Sequence, residues 1–387
     1  MSDRLQNAIK ILEQLVGFHS VSGNPNIQIT GYIQQYLLQH RVESTFSFDE
    51  TGERANIFAT IGPAIDGGVV LNGHTDVVPV DGQDWATDPF VLSQKGDLLF
   101  GRGSVDMKGF LACVLASVST FQAAGLKKPI HIAFSYDEEI GGLGMPVLLH
   151  NMAQKPFRPE IVIIGEPTDM NIITGHKGGF EMRTEITGLA VHSCDPTKGA
   201  NAIDAAMKLI ARIEEIAEIR ASNPIAGSLF QPAYPTFNIG MIEGGAARNA
   251  TAGWCNVNWE YRSMPGEDGA ATIAEIEAYA KSEILPVLKA VSPDTDIRII
   301  TEVAVPPLND ANVAAAAEFV SAITGINERG VVSFGTDAGY FSDAGFSTVV
   351  FGPGDISRAH KADEFITVNE LAQGLDFLGK VAERLSH

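Results

Sequence analysis

The chain has 387 residues, of which 45% are hydrophobic and 19% are charged, an ordinary balance for a globular protein. Its length favours two domains. Its formal net charge of -20 argues against nucleic acid or an anionic membrane surface as a partner. The three cysteines, Cys113, Cys194 and Cys255, are widely separated and fit a reducing compartment better than a disulfide framework.

The N-terminal segment "RLQNAIKILEQLV" predicts an amphipathic helix, because Leu5, Ala8, Ile9, Leu12 and Val16 fall on one helical face. The segment lacks the uninterrupted apolar region of a secretory signal peptide. No stretch reads as long and apolar enough to cross a bilayer. We therefore expect a cytoplasmic protein without a membrane partner.

Four short apolar runs predict buried strands: "GVVLNGH", "IHIAFSYDEE", "IVIIGEPT" and "TVVFGPG". Helical patterns lie between some of them, such as "MKGFLACVLASVSTFQAAG" and "NELAQGLDFLGKVAERL". Continuous apolar strands that alternate with helices predict an α/β fold, with a mostly parallel sheet flanked by helices on both faces.

The middle of the chain has a different order: strand, helix, strand, strand, helix, strand. This order is typical of a small α+β unit of the split βαβ type. We place the first part of the α/β domain at residues 1–179, the inserted unit at 180–302, and the second part of the α/β domain at 303–387.

Titratable residues directly follow several of the predicted strands. His74 and Asp76 end the first run, Glu138 and Glu139 end the second, and Glu166 ends the third. In open α/β sheets the carboxyl ends of the strands form the binding edge, so these side chains should converge. Asp106 in "GRGSVDMKG" and His360 in "SRAHKADE" complete a set of five candidate metal ligands: His74, Asp106, Glu139, Glu166 and His360.

Each candidate also has an ordinary structural explanation. His74 could be a core histidine bonded to a carbonyl, and Asp106 could cap a helix. The three glutamates could be loop or turn residues, and His360 could be a surface residue. These alternatives weaken when the residues are taken together, because two carboxylates about 4 Å apart repel by roughly 4 kcal/mol at an effective dielectric constant of about 20.

Two divalent cations would offset that repulsion. Mixed nitrogen and oxygen ligands suit zinc, cobalt or manganese better than magnesium or calcium. Asp76 stands two residues from His74 and fits a carboxylate that orients the imidazole.

The motifs "GHTDVVP", "GRGSVDMKG", "YDEEIGG", "GEPT" and the "AH" of "GDISRAHKADE" resemble those of the M20 family of dinuclear zinc amidohydrolases and peptidases. The resemblance covers essentially the whole chain and implies a homodimer formed through the inserted unit. It implies that Glu138 is the general base and that Asp106 precedes a cis peptide bond. The ligands it implies are Asp106 as a bridge, His74 and Glu166 on one zinc ion, and Glu139 and His360 on the other.

Within that family, the chain is most similar to the acetylornithine deacetylases, in "GHKGGFEMRTEITGLAVHSCDPTKGANAI", "YPTFNIGMIEGGAARN", "EYRSMPGED" and "FGPGDISRAHKADEF". This similarity implies oxyanion stabilisation by His192 and substrate binding by Asn249 and Arg262. It also implies substrate contacts in the loop of Gly352, Pro353 and Gly354.

The alternation of the predicted strand is consistent with a substrate-binding role for Arg262. One polar face is shared by Asn256, Asn258, Glu260 and Arg262. Such an arginine could bind an α-carboxylate, or it could be an ordinary solvent-facing ion-pair residue.

The resemblance implies hydrolysis of N2-acetyl-L-ornithine to L-ornithine and acetate, a step of arginine biosynthesis, with two zinc or cobalt ions as cofactors. Asp337 stands where these deacetylases usually carry Glu, so another acyl amino acid stays open. The alternatives are a succinyl-diaminopimelate desuccinylase, an aminoacylase, a dipeptidase or a carboxypeptidase. An inactive, metal-stabilised binding protein is the alternative from another class.

Overall fold

The computed structural model of the protein describes residues 2–387, with residue 310 described by its backbone alone. The chain forms two compact units. Unit 1 comprises the residues up to Gly175, Leu308–Val331 and Thr336–His387, and unit 2 comprises His176–Pro307 and Val332–Gly335. The predicted insertion, 180–302, falls within the first segment of unit 2. Residues 332–335 also belong to unit 2, where Ser333 Oγ donates a hydrogen bond to the carbonyl of Gln231.

The α-helices of the described chain are, in order, α1 (Asp3–Val16), α2 (Ile27–Gln39), α3 (Gly109–Ala116), α4 (Val118–Ala123), α5 (Met145–Ala153), α6 (Ala202–Ala221), α7 (Gly269–Tyr279), α8 (Leu285–Val291), α9 (Ala314–Thr324), α10 (Ala338–Asp343) and α11 (Val368–Leu385).

The strands are, in order, β1 (Ser44–Phe48), β2 (Ala55–Ile61), β3 (Val69–His74), β4 (Ser93–Lys95), β5 (Leu98–Phe100), β6 (Ile130–Ser135), β7 (Ile161–Ile164), β8 (Ile172–His176), β9 (Gly179–Thr187), β10 (Thr236–Gly244), β11 (Trp254–Arg262), β12 (Asp296–Val305), β13 (Arg329–Val332), β14 (Ser347–Val350) and β15 (Phe365–Thr367).

An eight-stranded mixed sheet organises unit 1, with the order β1-β2-β6-β3-β7-β14-β8-β13. Its central strands β6, β3, β7 and β14 are parallel to their neighbours within that group. These four strands are the four apolar runs of the sequence, and β3, β6 and β7 are buried along their whole length. The predicted α/β fold with a mostly parallel sheet is therefore confirmed.

Helices pack their apolar residues onto this sheet in one continuous core that includes α1, α3 and α11. In α1, Leu5, Ala8, Leu12 and Val16 of the predicted face are buried, whereas Ile9 is only partly buried. Ile11 and Leu15 are buried as well. α11 begins with a capping box, because Thr367 accepts from the Glu370 backbone and the Glu370 side chain accepts from the Thr367 backbone.

One expectation about apolar length is wrong. The segment Ser104–Ala123 is long and apolar enough to cross a membrane by length and composition alone. It is nevertheless 89% buried inside the protein, because it supplies the central core helices of unit 1.

Unit 2 contains an antiparallel four-stranded sheet with the order β10-β11-β9-β12. Helices α6, α7 and α8 contribute to its separate hydrophobic core. Strand β11 alternates as predicted, because Val257, Trp259 and Tyr261 are buried while the residues between them are partly exposed. The split βαβ order of the sequence matches this sheet with its helices.

Gly352, just after β14, should not tolerate a side chain. A Cβ built there would lie 2.2 Å from the carbonyl oxygen of Gly165 and 2.6 Å from that of Glu166, and backbone cannot move aside cheaply. We expect Gly352→Ala to lower the free energy of unfolding by about 1–3 kcal/mol, the usual cost of overpacking. Urea denaturation followed by circular dichroism measures this.

Gly31→Ala is the matched control, since Gly31 lies inside α2 with no atom within 4 Å of a built Cβ. Alanine in a helix is favoured over glycine by about 0.5–1 kcal/mol, so this variant should be as stable as the parent or more stable. Equal stability of the two variants would contradict the close approach at Gly352.

Candidate metal centre

The parallel strands bring the predicted ligands to one edge of the sheet. His74, the last residue of β3, pairs in parallel register with Ser135, the last residue of β6. Glu138 and Glu139 lie in the turn after β6, which ends at Ser135, and Glu166 follows β7 on the other side of β3. The neighbouring strand ends therefore deliver an imidazole and three carboxyl groups to the same place.

Asp106 reaches the same edge from a short irregular turn, Ser104–Lys108, whose backbone is non-helical at Asp106 and Met107. The peptide bond between these two residues is cis, as the family resemblance implies. Helix α3 begins later, at Gly109, and no side chain caps its start. The helix-cap explanation for Asp106 is therefore wrong.

The two oxygens of the Asp106 carboxylate contact two different histidines. His74 Nε2 lies 3.1 Å from Asp106 Oδ1 and 3.5 Å from Glu166 Oε1. His360 Nε2 lies 3.2 Å from Asp106 Oδ2 and 3.0 Å from Glu139 Oε2. The side chains thus form two groups that share one carboxylate.

This donor set fits divalent metal ions. Zinc bonds to nitrogen and oxygen ligands are about 2.0–2.1 Å long, so neighbouring ligand atoms of a tetrahedral site lie about 3.3 Å apart. The four contacts above, from 3.0 to 3.5 Å, match that spacing. Among the described residues, two clusters also have ligand atoms all within 4.8 Å of one another: His74, Asp106 and Glu139, and His74, Glu138 and Glu166.

Asp76 contacts both His74 and the turn that carries Glu138 and Glu139. The Nδ1 of His74 lies 2.9 Å from the carbonyl oxygen of Asp76 and 3.6 Å from its carboxylate, so the carbonyl makes the shorter contact. A proton on Nδ1 leaves Nε2 as a lone-pair donor. The Asp76 carboxylate accepts hydrogen bonds from the backbone N–H groups of Glu138 and Glu139 and from Ser22 Oγ. Asp76 therefore fixes both β3 and the turn after β6.

Burial and mutual repulsion raise the pKa values of the glutamates. Burial, with the Asp106 charge adding to it, raises the pKa of Glu166 to about 8 and that of Glu139 to about 7. Burial and the nearby Glu166 charge raise the pKa of Glu138 well above its usual range. These carboxyl groups keep protons near neutral pH unless another positive charge takes their place.

The pKa values of His74 and His360 are raised, because each imidazole lies beside carboxylates. Hydrogen bonds to Asp106 and Glu139 raise the pKa of His360 to about 10. Against the effect of burial, hydrogen bonds from His360 and His74 hold the pKa of Asp106 below its usual value. Protons and metal ions compete for such groups, so this cluster is a candidate cation site.

The predicted substrate residues His192, Asn249 and Arg262 lie in unit 2. Ser193 N donates to the carbonyl of Asn249 at 2.9 Å, which joins the two loop segments, and the His192 side chain is exposed. Arg262 forms an ion pair with Glu260 at 2.9 Å, as the alternative explanation of Arg262 as an ion-pair residue expects. Their roles toward a substrate stay predictions.

Gly352 and Gly354 are buried in unit 1, and their carbonyls accept backbone hydrogen bonds from residues 168–170. Close packing explains both glycines, and a substrate role for this loop stays a prediction. Asp337 is buried and accepts a hydrogen bond from Ser135 Oγ at 2.6 Å.

Glu364 belongs to the site although no sequence motif indicates it. Its Oε1 accepts the backbone N–H groups of Val105 and Asp106, and its Oε2 pairs with Arg102 Nη1 at 2.6 Å. Glu364 stands in "HKADEF", among residues typical of a surface loop, so no local pattern marks it as buried. Its position four residues after His360 is the one available signal.

Comparison with known proteins identifies the family. Residues 70–384 match the model of peptidase family M20/M25/M40. The chain belongs to this family. An acetylornithine deacetylase of Proteus mirabilis (strain HI4320) is 32% identical over 395 residues, which cover 99% of this chain and 98% of that protein.

Two solved structures share the fold. The aminopeptidase PepT from Bacillus cereus ATCC 10987 superposes with a TM-score of 0.73 at 20% identity, over 99% of each chain. The M20 family metallo-carboxypeptidase Sso-CP2 from Sulfolobus solfataricus gives a TM-score of 0.72 at 18% identity, over 100% of this chain and 99% of the other. At these identities the likeness shows the fold alone.

The raised pKa values of Glu139, Glu166 and His360 predict that these groups stabilise the metal-free protein less as pH rises. Folded Glu139 and Glu166 hold protons up to about pH 7 and about pH 8, whereas their ordinary pKa is 4.5. Folded His360 holds its proton up to about pH 10, against an ordinary pKa of 6.5. Between each pair of values the folded state binds more protons, so the free energy of unfolding falls through that window.

Urea denaturation of metal-free protein between about pH 5 and about pH 9 measures this, and the contribution of these three groups to the midpoint should decrease. Buried Lys108, His131 and His176 have pKa values lowered to about 7, about 4 and about 4 and contribute in the opposite direction, so parent and Glu166→Gln protein are compared at each pH. Saturating zinc should remove most of the decrease, because metal replaces the protons. Glu166→Gln should flatten the curve between about pH 5 and about pH 8, where folded Glu166 holds its proton and unfolded Glu166 does not. A midpoint of the parent that does not fall relative to that of Glu166→Gln over this range would contradict the raised pKa of Glu166.

Proposed function

We propose that the protein is a two-metal amide hydrolase that removes the acetyl group from N2-acetyl-L-ornithine. The observation that carries the two-metal proposal is the shared carboxylate, since Asp106 presents one oxygen to His74 and the other to His360. Family membership supports hydrolysis, and similarity to an acetylornithine deacetylase over nearly the whole chain supports the substrate.

The proposed ligands give a nearly balanced charge. Three carboxylates, on Asp106, Glu139 and Glu166, supply three negative charges, and two divalent ions supply four positive ones. His74 and His360 would be neutral donors. When bound, zinc or cobalt ions would acidify a water molecule and polarise the amide carbonyl. We assign His74 and Glu166 to one ion, Glu139 and His360 to the other, and Asp106 to both.

Glu138 is our proposed general base. Its carboxyl group lies with His74 and Glu166 in one cluster, and its backbone is fixed by Asp76. The Glu138 carboxylate would take a proton from the attacking water and pass it to the amide nitrogen as the C–N bond breaks. The products are then acetate and ornithine. Such a proton transfer needs a carboxyl group held beside the bound water, as the Asp76 contact to the Glu138 backbone provides.

Substrate recognition is assigned to residues on the basis of the family resemblance. We propose that His192 stabilises the developing oxyanion, that Arg262 and Asn249 bind the amino acid, and that the Gly352–Gly354 loop contacts it. Because Asp337 stands where the acetylornithine deacetylases usually carry Glu, other acyl amino acids remain alternative substrates.

Side-by-side turnover of acetylornithine, succinyl-diaminopimelate, other acyl amino acids and dipeptides, with zinc or cobalt supplied, tests the substrate. The highest kcat/KM should be for acetylornithine. A higher value for another amide would reassign the substrate within the family. No hydrolysis of any amide by fully metal-loaded protein would favour a metal-stabilised binding protein instead.

Glu138 and Glu139 should respond differently to the same substitution. Glu138→Gln keeps the shape of the side chain but cannot accept a proton, so kcat should fall by at least about 10²–10⁴-fold while both metals stay bound. Glu139→Gln removes a charged ligand, so metal affinity should fall and activity should partly recover at high metal concentration. Metal analysis and steady-state kinetics of both variants measure this, and the opposite pattern would exchange the two roles.

Mixing two inactive variants tests how His192 acts. If chains pair through unit 2, as the family resemblance implies, His192→Ala and Glu138→Ala chains together should regain activity in mixed dimers when His192 serves the partner's site. Subunit exchange is checked by mass spectrometry. No recovery in exchanged dimers would assign His192 to its own chain, and full activity of His192→Ala alone would remove it from the mechanism.

A further inference from the structure

A buried arginine connects the segments that carry two of the proposed ligands. Arg102 is only 1% exposed. Its Nη1 donates to Glu364 Oε2 at 2.6 Å, and its Nη2 donates to Gln83 Oε1 at 2.5 Å. Glu364 contacts the backbone of Asp106, and Gln83 contacts the backbone of His360. One guanidinium therefore lies between the two chain segments.

On the Asp106 side, the connection is a carboxylate that binds backbone N–H groups. Glu364 Oε1 accepts from Val105 N at 3.0 Å and from Asp106 N at 3.1 Å. Hydrogen bonds to an ionised acceptor are stronger than neutral ones. The buried Arg102–Glu364 pair adds little net stability, since desolvation offsets its attraction. Its clearest consequence is to fix where the Asp106 backbone lies.

On the His360 side, the connection holds an unusual backbone conformation. His360 has a φ of 62°, in the left-handed region that few non-glycine residues adopt. Such a conformation persists when its surroundings determine it. Gln83 Nε2 donates to the His360 carbonyl at 3.1 Å, and Arg102 Nη1 donates to the next carbonyl, that of Lys361, at 3.3 Å.

The orientation of the Gln83 amide is itself determined. Its Oε1 accepts from Arg102 Nη2 and from Trp85 Nε1, the latter at 3.0 Å. Both neighbours are donors only, so they require the amide oxygen on their side. The amide N–H group therefore points to the His360 carbonyl.

We propose that Gln83 and Arg102 are positioning residues that hold Asp106 and His360 in register for the ion assigned to Glu139 and His360. This inference rests on the proposed two-metal function. Neither residue touches the metal ligands' donor atoms; both act through the backbone. Partners that orient metal ligands from behind typically change metal affinity by about 10–100-fold when removed.

The test is a cobalt titration of metal-free protein, followed by the visible absorption of bound cobalt. Gln83→Ala should lower the affinity for one of the two cobalt ions by about 10–100-fold and leave the affinity for the other unchanged. The melting temperature of metal-free Gln83→Ala should equal that of the parent, because Gln83 is partly exposed and packs in no core. Gln94→Ala is the control, since exposed Gln94 bonds only within its own turn, to the Gly96 carbonyl.

Two further variants test which ion Gln83→Ala affects. In a His360→Ala background, which lacks the affected ion, Gln83→Ala should cause no additional change in cobalt binding. Arg102→Lys keeps the charge but cannot bridge Glu364 and Gln83. It should lower the affinity for the same ion and, because Asp106 is shared, for the other ion as well. Unchanged affinity for both ions in Gln83→Ala would overturn the inference while leaving the two-metal function intact. A parent protein that binds fewer than two cobalt ions would overturn the proposed function and this inference together.

Discussion

Repulsion among carboxyl groups at one edge of a parallel sheet is the constraint on which the rest of the structure depends. Asp106, Glu139 and Glu166 lie within a few bond lengths of two histidines, and burial prevents water from screening them. Burial and the neighbouring charges raise the pKa values of Glu139, Glu166 and His360, so protonation of these groups relieves the repulsion in the metal-free protein. A site built this way gains the most from divalent cations, because each ion replaces several protons.

The repulsion among these carboxyl groups does not disrupt the hydrophobic core, because the site lies beyond the ends of the core strands. Strands β3, β6 and β7 are buried along their whole length, and the carboxyl groups begin only after the strands end. Parallel pairing sets the lateral spacing of the strand ends, and Asp76 holds the turn that carries Glu138 and Glu139. The proposed ligands Asp106 and His360 lie on other segments and are held through their backbones by Glu364 and Gln83.

The sequence predicts what depends on local pattern. Apolar runs of strand length predict the central strands, and the titratable residues after them predict the edge where the ligands meet. Asp106 looks like a helix cap because only short-range pattern is visible, whereas its turn depends on Glu364, more than 250 residues away. Arg102 and Gln83 likewise bond to residues more than 250 positions along the chain, so no local pattern indicates their role. The apolar length of Ser104–Ala123 is likewise explained by burial, which composition alone does not reveal.

The central claim is that Asp106 is shared by two metal ions. A crystal structure of the zinc-loaded protein, with anomalous diffraction measured at the zinc absorption edge, tests it most directly. The account predicts two anomalous peaks in each chain, one on either side of the Asp106 carboxylate, the first beside His74 and Glu166 and the second beside Glu139 and His360. A single peak, or peaks that leave Asp106 without a metal contact, would contradict it.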